Sequence, residues 1–259
     1  PKDLIDACKH FSCDVCRETQ QEGRVVKFKM PSTYAFNYDV HLDVLFLRDS
    51  GGQTYGFLSI VCSGTAMHAA PMVMEKKGTP QSSKCLRKFQ THWTQWAGWP
   101  QFVTTDLGLN NRGVFARAVL LNGTFQRASG LESHQHLGKA EHQGGLLKQI
   151  AKKMIKEHAI SGKQQMKTMM SVALETKNDG LRVGGIAPSQ WVIGKYPRRP
   201  GCLAEQEELG QLVVMQAQNE SATEFGLRAK LRLEGRREIV KIDCGKRFRD
   251  SQLKRAAPI

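Results

Sequence analysis

The stretch "YDVHLDVLFLRDSGGQTYGFLSIVCSG", Tyr38 to Gly64, constrains the fold more than any other part of the chain. Two apolar runs rich in β-formers flank "RDSGG", and a Gly-containing turn between such runs directs an antiparallel hairpin. "MHAAPMVM" can add a third antiparallel strand. The pattern then changes period. Thr79-Pro80 supplies an N-cap and a proline at the first helical position, and Leu86, Phe89 and Trp93 recur at helical spacing, which predicts a helix to Trp96. "QFVTTD" predicts a short strand ending at Asp106, "GVFARAVLLNG" a helix, and "TFQRASG" another strand. "GKAEHQGGLLKQIAKKMIKEH" and "GKQQMKTMMSVALETKND" predict two further helices, and "GGIAPSQWVIGKYPRRPG" a closing loop punctuated by Gly and Pro.

Three antiparallel strands followed by alternating helices and strands describe an α/β fold, a mixed sheet with helices on its faces. That order is the ribonuclease H-like layout. Past Ala204 the apolar periodicity weakens, and Ser221–Ile259 holds eleven Lys/Arg against five Asp/Glu, which predicts an exposed basic helix or linker. The whole chain has 38 Lys+Arg against 24 Asp+Glu, a formal charge of +14, and this favours polyanionic partners, nucleic acid or an anionic membrane surface. No apolar run has the roughly 18 residues that span a bilayer, so nucleic acid leads. Seven scattered cysteines suit a reducing intracellular compartment better than a disulfide framework. Cys13 and Cys16 form the one CxxC pair, half of a tetrahedral zinc site that Cys8 and His10, or residues upstream, would complete.

Three carboxylates stand out. Asp43 sits in "HLDVLFL" between apolar neighbours, where burial without a partner would cost several kcal/mol on the order-of-magnitude scale of such costs. Asp39 and Asp49 have ordinary explanations as strand-end and turn residues. Asp106 ends a strand and opens "TTDLGLNN", at the carboxyl edge where open α/β sheets place their sites. On a helical wheel Glu141, Gly145, Lys148 and Lys152 fall at i, i+4, i+7 and i+11, opposite Leu147, Ile150, Ala151 and Met154. A solvated charged face explains such a stripe. It does not explain Gly144-Gly145, at about 1 kcal/mol per glycine relative to alanine in mid-helix. Three carboxylates converging on one sheet edge would repel one another unless cations sit between them, and such hard oxygen ligands suit Mg²⁺ or Mn²⁺. Two ions can then activate an attacking oxygen and stabilise the leaving one at phosphorus, with the lysine stripe gripping adjacent phosphates.

These motifs, in this order, resemble the catalytic core of retroviral and LTR-retrotransposon integrases. The resemblance covers about Val25 to Gly201: an Asp within a strand (Asp43), "TDxG" (Asp106), a Glu on a helix 35 positions later (Glu141), and "APSQWVIGKYPRRPG". "SHQHLGKAEH" is similar to the family's His-Pro-x-x-x-Gly-x-x-Glu-Arg segment, Lys148 matches the helix lysine that contacts element DNA, and "CDVC" matches the second half of its zinc module. It implies a partial zinc module over residues 1–22, a catalytic core over 23–201 and a basic helical linker over 202–259 leading toward a C-terminal domain. It also implies Asp43, Asp106 and Glu141 as ligands of two divalent ions, zinc at Cys13 and Cys16, and DNA contacts at Lys139, His142, Gln143, Lys148 and Lys152. The expected activity is DNA strand transfer by a homo-oligomer acting in the nucleus, by a copy that is truncated or decayed. Asn110 and His142 depart from the family's usual Glu and Arg. A ribonuclease H-type nuclease, a silent DNA-binding module, and a zinc hydrolase built on His134, His136 and His142 are the competing readings.

Overall fold

The computed structural model describes residues 35–106, 108, 111–128, 134–181, 186–194 and 220–254, all within the unit Thr33–Ile259. The hairpin is β1, Asp39–Arg48, and β2, Thr54–Cys62, paired antiparallel with Val40 opposite Cys62 and Arg48 opposite Thr54. The third strand is split by Ala70-Pro71 into β3, His68–Ala69, and β4, Met72–Met74, both antiparallel to β2. Pro71 lacks an N–H but keeps its carbonyl in the ladder, accepting from Leu58 N at 2.9 Å.

After β4 the chain enters α1, Ser82–Phe89, which runs through a π-helical turn, Gln90–Thr94, into α2, Gln95–Ala97. The helical spacing holds, since Phe89 and Trp93 are fully buried. The N-cap does not: it is Gln81 rather than Thr79. β5, Phe102–Thr105, pairs parallel with β1; α3, Val114–Leu121, leads to β6, Phe125–Ala128, parallel to β5. The open sheet thus has the order β3-β2-β1-β5-β6, with β4 beside β3 on β2. Helices α4, His134–Glu157, and α5, Lys163–Gly180, follow. The expected closing loop contains a short helix, α6, Pro188–Ile193, started by proline at its first turn.

Strand alternation sends β1 into two cores. Val40 and Leu42 join Leu58, Phe89, Trp93 and Phe115 on one face, while Leu45 and Leu47 join Leu147, Ile150, Met154 and Met169 on the other. Helix α4 runs along β1 in the same direction, because its end reaches the turn after β1: Ser50 Oγ donates to Ile155 O at 3.2 Å and Ser50 N to Ile160 O at 2.9 Å. Asp49 in that turn is the carboxylate that burial and backbone bonds hold. Its Oδ1 accepts from Gln53 N at 2.8 Å and its Oδ2 from Gly162 N at 2.9 Å. Burial works to raise the Asp49 carboxyl, and the bonds from Gly162, Gln53 and Gly51 outweigh it and hold it below its ordinary value. Asp49→Ala is therefore expected to destabilise the protein by about 2–3 kcal/mol in urea titrations at neutral pH. With a lowered folded pKa, Asp49 stabilises above its unfolded value and loses that contribution as pH falls through the folded one. The cost should shrink in acid.

The basic C-terminal stretch is helical, as expected, but it is not simply exposed. α7, Glu220–Lys254, packs one face on α4 and α5, with Leu231 fully buried and Ile239 nearly so. Glycines allow the approach: a Cβ on Gly235 would lie 2.6 Å from Met154 Cε, and one on Gly180 2.9 Å from Ile239 Cδ1. Lys153 of α4 closes the seam, 2.9 Å from Glu234 and 3.1 Å from Glu238.

Candidate active site

Asp43 and Asp106 are brought together by sheet register. β1 and β5 pair through Leu42 and Thr105, and the next residues on the two parallel strands are Asp43 and Asp106. Asp43 belongs to the α4 face of β1, the face of Leu45 and Leu47. Contrary to the sequence expectation, it is exposed. The apolar residues on either side of it, Leu42 and Val44, belong to the opposite face and say nothing about its own. Asp43 Oδ1 accepts from Val44 N at 2.6 Å. Asp106 is also exposed, and its Oδ1 accepts from Asn111 Nδ2 at 2.7 Å and Gly108 N at 3.3 Å.

Glu141 stands on α4 at the level of Asp43. A Cβ on Gly144 would lie 3.5 Å from Leu45 Cδ2, so Gly144 rests over Leu45. Glu141 is three residues back along the helix, about 4.5 Å, and Asp43 two residues back along the strand, about 6.6 Å. Glu141, His142, Gly145 and Lys152 are exposed and Lys148 half-buried, while Leu147, Ile150, Ala151 and Met154 are buried. The stripe and the packing face are those of the helical wheel. Neither glycine is demanded by packing within the chain, because Gly144 has room for a methyl and Gly145 faces open space. Gln143 is half-buried, and its Oε1 finds no hydrogen-bond donor.

The three carboxylates share a face and a level without closing on a common point. Among the described residues no three His, Cys, Asp or Glu side chains lie close enough to hold a metal ion. The donor set nevertheless fits a hard divalent cation: three exposed carboxylates, all oxygen, with Asp106 anchored at one oxygen by Asn111. Cys13, Cys16, Asn110 and the side chains of Lys139, His134 and His136 lie outside the described residues.

Two supporting groups are not legible in the sequence. Asn111 is buried, donates to both the carboxylate and the carbonyl of Asp106, and is itself held where Gln126 Nε2 donates to its carbonyl at 2.9 Å. An Asn five residues after the strand-end Asp, inside a Gly loop, is the available signal. Asp39 is the second. Four residues before Asp43 on the same face, it is tied to His41 at 3.6 Å and to Thr104 Oγ1 at 2.9 Å. Burial works to raise its carboxyl; His41, then Thr104 and Arg127, outweigh it and hold the group below its usual value. Asp39 is thereby committed to its neighbours.

A chain of the simian T-cell lymphotropic virus intasome, in complex with PP2A regulatory subunit B56 gamma, matches this structure with a TM-score of 0.54 and 17% identity, over 73% of this chain and 67% of that one. The fold is that of an integrase catalytic core. The HTLV-2 integrase catalytic core domain in complex with magnesium is similar in its trimeric form at a TM-score of 0.49 and 17% identity, over 61% of this chain and 97% of that one. Its dimeric form gives 0.49 and 15%, over 61% and 96%. The sequence matches no family model and no curated protein. Among the described residues no helix is long and apolar enough to cross a membrane.

Proposed function

We propose that this integrase-fold chain is a polynucleotidyl transferase that joins the 3′-hydroxyl of a DNA end to a phosphodiester of a second DNA, acting as a homo-oligomer in the nucleus. The observation that carries this reading is the register of Asp43 beside Asp106 on the α4 face, with Glu141 at the same level. Asp43, Asp106 and Glu141 would hold divalent ions, Mg²⁺ or Mn²⁺, whose charge favours both the attacking and the leaving oxygen at phosphorus.

The chain's own residues do the rest. Asn111 fixes the Asp106 carboxylate, and β1 and β5 fix the separation of the two aspartates. Lys148 and Lys152 project from α4 beside Glu141 and pair with the phosphates flanking the reacting one. Gln143, whose half-buried Oε1 finds no donor, would meet the DNA end together with His142 and Lys139, the assignment their place in the sequence motif suggests. The reaction forms one O–P bond from the 3′-hydroxyl and breaks another, the displaced oxygen leaving as a new 3′-hydroxyl. A water in the attacking position gives end-trimming by the same residues.

A labelled duplex end incubated with a supercoiled target and Mn²⁺ tests this. Joined, labelled product is expected from the wild type and none from Asp106→Asn. Release of nucleotides from the RNA strand of a hybrid, without joining, would assign a ribonuclease H-type nuclease instead. Binding without any turnover would leave a DNA-binding module.

A further inference from the structure

The face of the sheet that carries Asp43 and Asp106 extends past them onto β6, and there it presents rings. Helix α4 packs over β1 and β2. Toward the other edge, Asp39 of β1 stands opposite Phe102 of β5, Phe102 opposite Phe125 of β6, and Thr104 opposite Arg127. Residues paired in register share a face, so Phe102, Phe125 and Arg127 lie on the side of Asp39, His41 and Asp43. The residues that alternate with them belong to the other side. Val103 is fully buried there with Val40 and Leu42, and Gln126 Nε2 donates to Thr105 Oγ1 at 3.1 Å.

These side chains touch one another. The ring centres of Phe102 and Phe125 are 5.8 Å apart, Tyr38 meets Phe102 edge-on at 5.3 Å, and the guanidinium carbon of Arg127 lies 3.4 Å from the centre of the Phe102 ring. Even so, Phe125 is 61% exposed and Arg127 is exposed. The sheet does not need an open ring at this position, because β6 is held to β5 by its backbone ladder and, on the far side, by Gln126. What the surface offers is planes. A nucleobase stacks on a phenyl face and on a guanidinium plane alike. Asp39 decides which part of a nucleic acid is met. Its carboxylate, tied to His41 and Thr104, stands opposite Phe102, where it would repel a phosphate and leave an uncharged base as the group that fits. A paired duplex keeps its base faces inside the stack, so the strand that fits here is unpaired.

We propose that Phe102, Phe125 and Arg127 form a stacking platform for the unpaired bases of a nucleic-acid strand, on the same face as Asp43 and Asp106. Arg127 stands opposite Thr104, and Asp106 follows Thr104 by two residues, about 6.6 Å along β5, so the platform adjoins the carboxylates. Bases next to a reacting phosphate, or opposite it in a frayed end, come to rest on the rings. The inference rests on nucleic acid as the partner in the function proposed above, and not on that function's chemistry.

The test compares equilibrium binding of a labelled oligothymidylate and of a blunt duplex, in EDTA so that no turnover intervenes. Phe125→Ala is expected to weaken the single strand about tenfold, the loss of one stacked base, and the duplex by less than about twofold. The slope of log K against log salt should stay as it is, since no phosphate contact is lost. Phe125→Trp should bind the single strand at least as tightly as the wild type. Arg127→Lys, which keeps the charge and loses the plane, should cost about two- to fivefold. Equal losses for single strand and duplex would overturn the platform. So would wild-type binding by Phe125→Leu, which keeps the apolar bulk without the ring. Unchanged single-strand binding by Phe125→Ala also overturns it: an altered sedimentation coefficient would then give the patch to a second copy, and a lowered melting temperature to a segment of this chain. Should Phe125→Ala unfold, Phe125→Leu must show the single-strand loss in its place. Protein that joins DNA ends while its single-strand binding ignores Phe125 sinks the platform alone; protein that binds single strands through Phe125 and joins nothing sinks the proposed chemistry alone.

Discussion

Asp43→Asn is expected to reduce strand transfer about a thousandfold, ~4 kcal/mol of transition-state stabilisation, while leaving duplex binding and the melting temperature within error. The separation of effects follows from the geometry. Asp43 is exposed, and among the described residues its carboxyl accepts only from the N–H of its own neighbour, so folding does not depend on its charge. Asn keeps the shape and one oxygen but loses the anion that a divalent cation requires. Glu141→Gln should behave in the same way. Asn111→Ala should lower strand transfer less than Asp43→Asn and cost some stability, because it frees the Asp106 carboxylate and removes a buried amide, while the Gln126 bond, made to the Asn111 backbone carbonyl, survives. Single-turnover assays in Mg²⁺ and Mn²⁺, with binding measured on the same protein, check all three. Strand transfer by Asp43→Asn at the wild-type rate would remove Asp43 from the chemistry.

The path from sequence to this site is open in some places and closed in others. The hairpin announces itself because turn chemistry and β-forming runs agree, and the parallel strands β5 and β6 because each is short and bounded by a helix. The spacing of Asp43, Asp106 and Glu141 puts the two aspartates on the adjacent parallel strands β1 and β5 and the glutamate on α4. The sequence misleads about the environment of Asp43 for a plain reason. In a strand, neighbours in sequence occupy opposite faces, so "LDV" reports on the core behind the aspartate, and the nearest residues on its own side are His41 and Leu45. The seam of α7 is hidden differently. The residues that form it, Leu231, Glu234, Gly235, Glu238 and Ile239, include two acids and a glycine, and a face so composed leaves little apolar period to read. The buried acids matter there because Lys153 lies across the seam, a pairing that no local pattern encodes.

Lys177 is a stronger case of the same kind, and it yields the second large effect. In "LETKNDG" it reads as one more solvated charge at a helix end, yet it is fully buried, with Nζ donating to Ala66 O at 3.2 Å. The surroundings explain the burial. Asn178 clamps β3 by accepting from His68 N at 3.1 Å and donating to His68 O at 2.9 Å, and Ser189 of α6 donates to Asn178 O, so the end of α5 is held against β3. His68 is buried too, bonded to Ser59 at 2.8 Å, and burial and then Lys177 push its pKa well below the ordinary value. Among the described residues no carboxylate answers Lys177, and burial pushes it down from 10.5 to about 7. Its folded pKa is depressed, so the unfolded chain binds the extra proton between the two values. Stability therefore rises with pH from about 7 toward 10.5 and is forfeited as pH falls to 7. At about 1.4 kcal/mol per pH unit the burden near neutrality is a few kcal/mol. Lys177→Met keeps the volume, removes that burden and leaves only the Ala66 carbonyl without its donor, a smaller loss of about 1 kcal/mol. The variant should thus be more stable than wild type by about 2 kcal/mol at pH 7 in urea titrations, and the gain should vanish or reverse at pH 10. That window lies above the titration of His68, so a change in the gap between pH 7 and pH 10 belongs to Lys177. A gap of one size at both pH values would show that the lysine is charged and answered in the folded protein.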